Sequence, residues 1–505
     1  MTKNVLEYLE QTAHSAPLAG VTDDQGSCTY PQLLEKSRHV GSALAGRTEA
    51  GRPIPVLLDK GTDTLAAFFG IVQAGCFYTL LNPELPDSRL QQVLGVLEPE
   101  IIVTDQQHRE RAETLGDGRE VFLLEDLLTA PLDDKELKRR RSEMIDTDAL
   151  YINFTSGSTG VPKGVVISHR SVIDFIDVFT ELFHISGEDV IANQAPLDFD
   201  VSVKDIYSAI KTGAGLVLVP RQLFSQPAPL LDFLCEHRIT TMIWAVSALC
   251  LITTVHGLDY RTPDNVRKVL FSGEVMPLKH LRDWMEHLPE AVFVNLYGPT
   301  EITCNCTYHI IDRSRSYDQG IPIGRHFPNE RVFLLDEQNC AVRTPRAVGE
   351  ICVSGTAVGL GYYRAADQTA KRFPQNPRNA LWQERIYRTG DLACWNERGE
   401  LQFLGRRDFQ IKYKGHRIEL EEVEKAMLEP EEIRQACCVF DSEKGKLYGF
   451  YVGSLDRKEL HRRLCETLPV YMIPGRLVCC ELLPLTKNGK TDRAALMKTL
   501  REEKK

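Results

Sequence analysis

The chain is 505 residues long, with 60 Lys and Arg against 70 Asp and Glu and a net charge of −10. That balance argues against a general nucleic-acid binder, and no apolar run reaches the roughly 18 residues of a membrane span. Hydrophobic content of 43% is ordinary for a globular protein, and the length exceeds what one core supports, so two to four folding units are expected.

The first ten residues place Glu7 and Glu10 among their apolar side chains. This is unlike a signal peptide and reads as an amphipathic surface helix. Fourteen cysteines form no C-x-x-C pair. With no export signal, free thiols in the cytoplasm are expected, without disulfides or a structural metal.

Residues 1–150 alternate strand and helix patterns. Ile54–Leu58 and Ile101–Asp105 read as buried strands, and Thr64–Gly75 as a helix with a glycine stop. The charged run Lys135–Arg141 reads as a solvated link. Next comes Leu150-Tyr151-Ile152-Asn153-Phe154, then Thr155-Ser156-Gly157-Ser158-Thr159-Gly160-Val161-Pro162-Lys163-Gly164, then Val165-Val166-Ile167. That is strand, loop, strand. Its glycines let backbone N–H groups approach an anion, and four hydroxyls and Lys163 add donors, so the loop suits phosphate oxygens. It is not a Walker loop, because the glycine–lysine spacing is wrong and a strand follows. A flexible Ser/Gly linker is the plainer alternative, but linkers seldom sit between two hydrophobic strands.

Residues 165–330 continue the α/β alternation, with buried strands at Gly213–Pro220, Thr241–Val246 and Val269–Phe271. Polar candidates fall after strands, where ligands of open α/β sheets collect: Ser272-Gly273-Glu274, and Asn295 through Glu301. From about 330 to 405 short strands dominate and suggest a small β-barrel or meander. An α+β tail follows.

Several motifs together resemble one family. They are residues 151–164 above, Phe-Asp-Val-Ser-Val-Lys-Asp-Ile-Tyr (199–207), Asn-Leu-Tyr-Gly-Pro-Thr-Glu (295–301), Gly-Glu-Ile-Cys-Val-Ser-Gly (349–355), Tyr-Arg-Thr-Gly-Asp (387–391), Gly-Arg-Arg-Asp-Phe-Gln-Ile-Lys (405–412), Gly-His-Arg-Ile-Glu (415–419) and Asn-Gly-Lys-Thr-Asp-Arg (488–493). In this order they resemble the adenylate-forming superfamily, which includes amino-acid adenylation domains of peptide synthetases, D-alanine–carrier-protein ligases, acyl-CoA synthetases and luciferases. The resemblance implies an α/β fold. A large N-terminal domain, residues 1–407, would hold two α/β subdomains and a small β-barrel. A small mobile α+β domain, residues 408–505, would follow.

The implied chemistry joins a carboxylate to the α-phosphate of ATP, so it needs positive charge and positioning more than a base. By resemblance, Thr155, Ser156, Gly157, Ser158, Thr159, Gly160, Lys163 and Thr300 serve the phosphates. Gly273, Glu274, Asn295, Tyr297, Asp391 and Arg406 serve adenine and ribose. Glu301 serves Mg²⁺, which favours one or two carboxylates plus phosphate oxygens. Lys490 resembles the catalytic lysine, Asp408 the hinge, and Lys412 with Gly415 the face presented during thioester formation. In each case the bland alternative is a turn, core or surface residue.

Asp200 resembles the aspartate that pairs with a substrate α-ammonium, with Asp198 and Asp205 as nearby competitors. The rest of the implied pocket is Val201, Lys204, Leu270, Ser272, Leu296, Cys304 and Asn305, with a position near Ile243 unassigned. Lys204 is similar to a lysine of some glutamate-activating domains, or else points to solvent. Glutamate or a related polar amino acid, and alanine of either hand, remain rivals. No carrier or condensation motif is found, so a separate phosphopantetheinylated carrier protein is the expected acceptor, and a monomer is expected. A basic strip of Lys412, Lys414, His416, Arg417, Arg462 and Arg463 would fit an acidic carrier. The alternatives are an acyl- or aryl-CoA ligase and, further off, a non-catalytic nucleotide-binding module.

Overall fold

The computed structural model describes residues 2–157, 160–442, 444–485 and 491–502. The chain splits into two compact units. The first holds residues 1–82, 97–153 and 164–407, and the second 83–96, 154–163 and 408–505. Residues 83–96 and the Gly-rich loop thus group with the tail rather than with the rest of 1–407.

In the first unit a nine-stranded sheet has the order Arg325–His326, Thr307–Ile310, Val292–Tyr297, Lys268–Ser272, Thr241–Ala245, Val190–Asn193, Gly215–Leu218, Gly20–Thr22, Ser27–Thr29. Its central strands run parallel. Val269, Leu270 and Phe271 are all buried, as expected of parallel strands covered on both faces. A seven-stranded sheet runs from Gly361–Tyr362 through Lys163–Ser168, Ala149–Thr155, Phe77–Leu80, Pro53–Leu57 and Ile101–Thr104 to Glu120–Leu123. The helices Tyr30–Ala45 and Thr62–Gln73 pack closely: a Cβ on Gly70 would stand 2.4 Å from Val40 Cγ1. The region expected to be barrel-like is a four-stranded antiparallel sheet, Glu330–Leu335, Gly349–Gly355, Tyr387–Trp395 and Leu401–Arg406.

The charged run at 135–141 is not a link. It lies in the helix Asp134–Glu143, capped by the Asp133 side chain, which accepts from the Glu136 amide. Arg140 turns inward and donates to the Ala45 and Thr48 carbonyls at 2.7 and 2.8 Å. It satisfies carbonyls that the end of the Tyr30–Ala45 helix leaves orphaned. The N-terminal helix Leu6–Ser15 is amphipathic as expected, with Leu6 and Leu9 fully buried on one face. All fourteen cysteines are free thiols.

The second unit carries the hairpin Gln410–Tyr413/His416–Glu419. Lys414 and Gly415 turn it with φ of 51° and 81°, the mirror-image turn that matches strand twist. The helix Leu420–Leu428 follows, then the three-stranded sheet Ile433–Asp441, Lys446–Gly453 and Arg476–Cys479, with Arg457–Thr467 among its helices. Ile418, Val423, Met427, Leu460, Leu464 and Met472 centre its core.

Candidate active site

Several of the first unit's site residues lie at or just beyond the carboxyl ends of the parallel strands, while Asp391 and Arg406 lie on antiparallel strands. The strand Val292–Tyr297 ends at Gly298, where a Cβ would stand 2.4 Å from the Asn305 α-carbon, so only glycine admits the returning chain. Thr303 and Cys304 then take φ of 51° and 77°. A β-branched residue there is strained by about 1–3 kcal/mol, and such strain is typical of functional turns. The Thr303 hydroxyl pins the turn by donating to Ala357 O at 2.7 Å. The turn buries Glu301, Cys304 and Asn305. Tyr362 donates to Glu301 Oε1 at 2.8 Å, and Gly359 donates its amide to the Glu301 carbonyl at 2.8 Å.

Asp200 stands at the start of the helix Val201–Thr212, half-buried, and its carbonyl accepts from Cys304 Sγ at 3.0 Å. One turn on, Lys204 is fully buried and donates from Nζ to Asn305 Oδ1 at 2.7 Å. That excludes the solvent-facing orientation. Asp205 accepts from Asn193 Nδ2 at 2.7 Å, and burial raises its carboxyl to about 7. Asp198 accepts from the Asn82 amide at 3.2 Å, and burial raises its carboxyl to about 6. Leu270, Ser272 and Leu296 are buried, and Ile243 lies beside Leu270 in strand register. Val201 is partly exposed.

Tyr297, Asp391 and Arg406 meet. Tyr297 Oη donates to Asp391 Oδ2 and Arg406 Nη1 to Asp391 Oδ1, each at 2.5 Å. Burial, then the Asp391 charge, hold the Tyr297 phenol well above its ordinary range. Asn295 Nδ2 donates to Pro322 O at 2.9 Å. Gly273 has φ of 99°, and a Cβ there would meet nothing within 4 Å, so its face is open to a flat ring. Glu274 and Thr300 beside these groups are partly exposed.

In the second unit the Gly-rich loop closes on itself, with Gly160 N donating to Gly157 O at 2.8 Å and Gly160 at φ 81°. A Cβ on Gly157 would collide with Val161 O at 2.1 Å. Ser156 Oγ donates to Arg417 O at 2.9 Å, and Gly157 N to Glu422 Oε2 at 3.1 Å. The Thr155 hydroxyl is buried and has no hydrogen-bond partner among the described residues, a donor suited to a phosphate oxygen. Lys163 opens the following strand. Ser158, Thr159 and Lys490 lie outside the described residues. Asp408 accepts from Gln410 N at 3.4 Å.

The family model described as AMP-binding enzyme matches residues 6–363, and the one described as AMP-binding enzyme C-terminal domain matches residues 422–490. The chain belongs to the AMP-binding enzyme family. This AMP-binding enzyme is 32% identical to tyrocidine synthase 2 of Brevibacillus parabrevis over 97% of its own length and 14% of the relative's. It is 33% identical to bacitracin synthase 1 of Bacillus licheniformis over 93% of its length and 9% of the relative's. The chain thus spans less than a fifth of these curated relatives. Among solved structures it is similar to holo-PA1221, an NRPS protein containing adenylation and PCP domains. The TM-score there is 0.83 with 26% identity, covering 98% of this chain and 84% of that one. It is also similar to IdnL1, at TM-score 0.80 and 28% identity, covering 96% and 98%.

The sequence did not point to several groups that the AMP-binding enzyme buries among these residues. Lys60 donates to the carbonyls of Asn193, Gln194 and Val219 at 2.9–3.4 Å, and burial lowers its ammonium to about 7. Arg89 and Glu422 form a buried ion pair at 2.6 Å. A lone Lys or Arg in an unremarkable stretch carries no local signal for this. Two members of the expected basic strip are paired with a carboxylate on their own helix. Arg462 and Arg463 pair with Glu459 at 2.8 and 2.9 Å, and His416 stacks on Tyr471 at 3.5 Å. Among the described residues no helix is long and apolar enough to cross a membrane.

Proposed function

We propose that this chain activates an amino acid. The substrate carboxylate attacks the α-phosphorus of ATP, pyrophosphate leaves, and the aminoacyl-AMP is attacked by the phosphopantetheine thiol of a separate carrier protein, releasing AMP. The observation that carries the reading is Asp200 at a helix start with fully buried Lys204 a turn beyond. A half-buried carboxylate attracts a cation, and an α-ammonium is the cation an amino acid brings. Lys204 and Asn305 favour a polar side chain, glutamate or a related acid, over an apolar one. The relative that joins adenylation and PCP domains supports a carrier as acceptor.

Asp391 would take the ribose hydroxyls, with Tyr297 and Arg406 fixing its two oxygens. Gly273 leaves room for adenine. The loop 155–163 would receive phosphate oxygens through Thr155, the backbone and Lys163. Glu301, held by Tyr362, would hold Mg²⁺, which neutralises phosphate charge when bound. Lys490 would bridge the substrate carboxylate and the α-phosphate, and Asp408 would let residues 408–505 bring it in and withdraw it. The 407/408 boundary is taken as that of the two domains. A cytoplasmic location fits the free cysteines, and a monomer is the proposed state.

The test is ATP–pyrophosphate exchange across L- and D-amino acids with fatty and aryl acids. Exchange with glutamate or another anionic amino acid supports the full reading. Exchange with alanine alone keeps Asp200 and removes Lys204 from recognition. Exchange only with acids lacking an amino group overturns the amino-acid reading in favour of a CoA ligase.

A further inference from the structure

Asp391 owes its aim to a defect in the sheet. Strands Gly349–Gly355 and Tyr387–Trp395 pair Cys352 with Arg388 and Glu350 with Leu392. Ile351 alone therefore faces Thr389, Gly390 and Asp391, and these three residues bulge from the ladder. A bulge of this kind re-aims a side chain, and it frees backbone groups that need new partners. Asp391 N donates to its neighbour's hydroxyl, Thr389 Oγ1, at 3.0 Å, and that hydroxyl donates to Ile351 O at 2.9 Å. Gly390 N, in a backbone of φ 76°, donates to Glu350 Oε1 at 3.1 Å. Glu350 is buried, and its other oxygen accepts from Arg388 Nε at 3.0 Å and Nη2 at 2.5 Å.

We infer that Glu350 is a positioning residue for nucleotide recognition, holding the Gly390 amide so that the bulge presents Asp391 to the ribose hydroxyls. The inference rests on the ribose role proposed for Asp391. Glu350 reaches no nucleotide atom itself. It acts through one charge-assisted hydrogen bond to the bulge, and Arg388 orients its carboxylate. Its loss frees a glycine-centred bulge to relax, and the cost falls on the ribose hydroxyls rather than on the phosphates or adenine.

The test measures direct binding of ATP and of 2′,3′-dideoxy-ATP to the full chain by titration calorimetry. Glu350→Ala is expected to weaken ATP about tenfold and dideoxy-ATP less than twofold, since that ligand offers Asp391 nothing to hold. Glu350→Gln retains an acceptor for Gly390 N and is expected to recover most of the loss. Equal weakening of both nucleotides by Glu350→Ala, or no weakening of ATP, overturns the inference and marks Glu350 as structural only. If Glu350→Ala fails to fold, Glu350→Leu/Arg388→Met removes the acceptor together with its buried ion-pair partner and is read in the same way. The ribose reading is tested separately with Asp391→Ala. If that variant binds ATP as tightly as the parent, the reading falls and the inference with it. If it loses ATP affinity while Glu350→Ala does not, the inference alone falls.

Discussion

Lys204 Nζ donates to Asn305 Oδ1 at 2.7 Å, and Lys204 has no exposed surface while Asn305 has 2%. An ammonium desolvated this far is costly unless its environment is anionic or richly hydrogen-bonded. Asp205 lies close enough to feel its charge. On the proposed function the cation would add a second determinant of acid selection beyond Asp200.

Lys204→Met preserves length and removes the charge. The expected result is a loss of at least tenfold in kcat/KM for the best polar amino acid, with apolar amino acids unchanged or improved. Leaving Asn305 Oδ1 without its donor costs about 1–3 kcal/mol of stability. ATP–pyrophosphate exchange across the amino-acid panel, beside thermal unfolding, checks both. A uniform loss for every amino acid would remove Lys204 from selection.

Glu330 predicts a pH signature of stability. Its side chain is 2% exposed, Oε1 accepts from Ala357 N at 3.1 Å, and Oε2 has no hydrogen-bond partner among the described residues. Burial above all raises its carboxyl to about 8. A raised acid stabilises fully below its unfolded value near 4.5, and that stability is lost as pH rises through about 8. At 1.36 kcal/mol per unit the loss comes to about 5 kcal/mol. Glu330→Gln has no charge to bury, so its melting temperature is expected to fall less than the parent's between pH 5 and pH 9. Parallel curves would refute the assignment.

Arg140 is a structural cation with a separable effect. Arg140→Ala strips the Ala45 and Thr48 carbonyls of their donor and empties a buried site, and about 3 kcal/mol of destabilisation is expected. Chemical denaturation reads the loss, while ATP affinity of the folded protein stays within twofold. A weakened nucleotide affinity at full folding would show the helix Asp134–Glu143 to be coupled to the site.

What the sequence made legible was the local chemistry. Thr155 through Lys163 reads as an anion loop from its glycines and hydroxyls, and Tyr297, Asp391 and Arg406, far apart in the chain, converge as the family pattern implies. Contacts that depend on a third dimension were not legible. Arg140 looks solvated inside a run of charges, because nothing local reveals the two carbonyls it caps. Lys204 sits at a helical position compatible with either face, and only the strained turn at Thr303 and Cys304 delivers Asn305 to it. Arg462 and Arg463 look like a docking strip until Glu459, three and four residues earlier on the same helix, is seen to pair with both. Glu350 is hidden for a different reason, since a bulge cannot be read from one strand alone.

Glu422 places a carboxylate on the anion loop itself. It joins Gly157 N at 3.1 Å to Arg89 at 2.6 Å, with both charged side chains buried. On the proposed role of the loop, a phosphate oxygen and Glu422 compete for the same amide. Glu422→Gln leaves an acceptor while removing the competing charge. Tighter ATP binding, by about three- to tenfold, is expected, together with a loss of stability from the unpaired Arg89. Arg89→Met/Glu422→Gln is expected to restore much of that stability, because replacing both members of a buried pair costs less than removing one. Calorimetric ATP titration and denaturant unfolding of the parent and the two variants separate the two effects. Weaker ATP binding by Glu422→Gln at full folding would mean that the carboxylate shapes the loop for phosphate instead of competing with it.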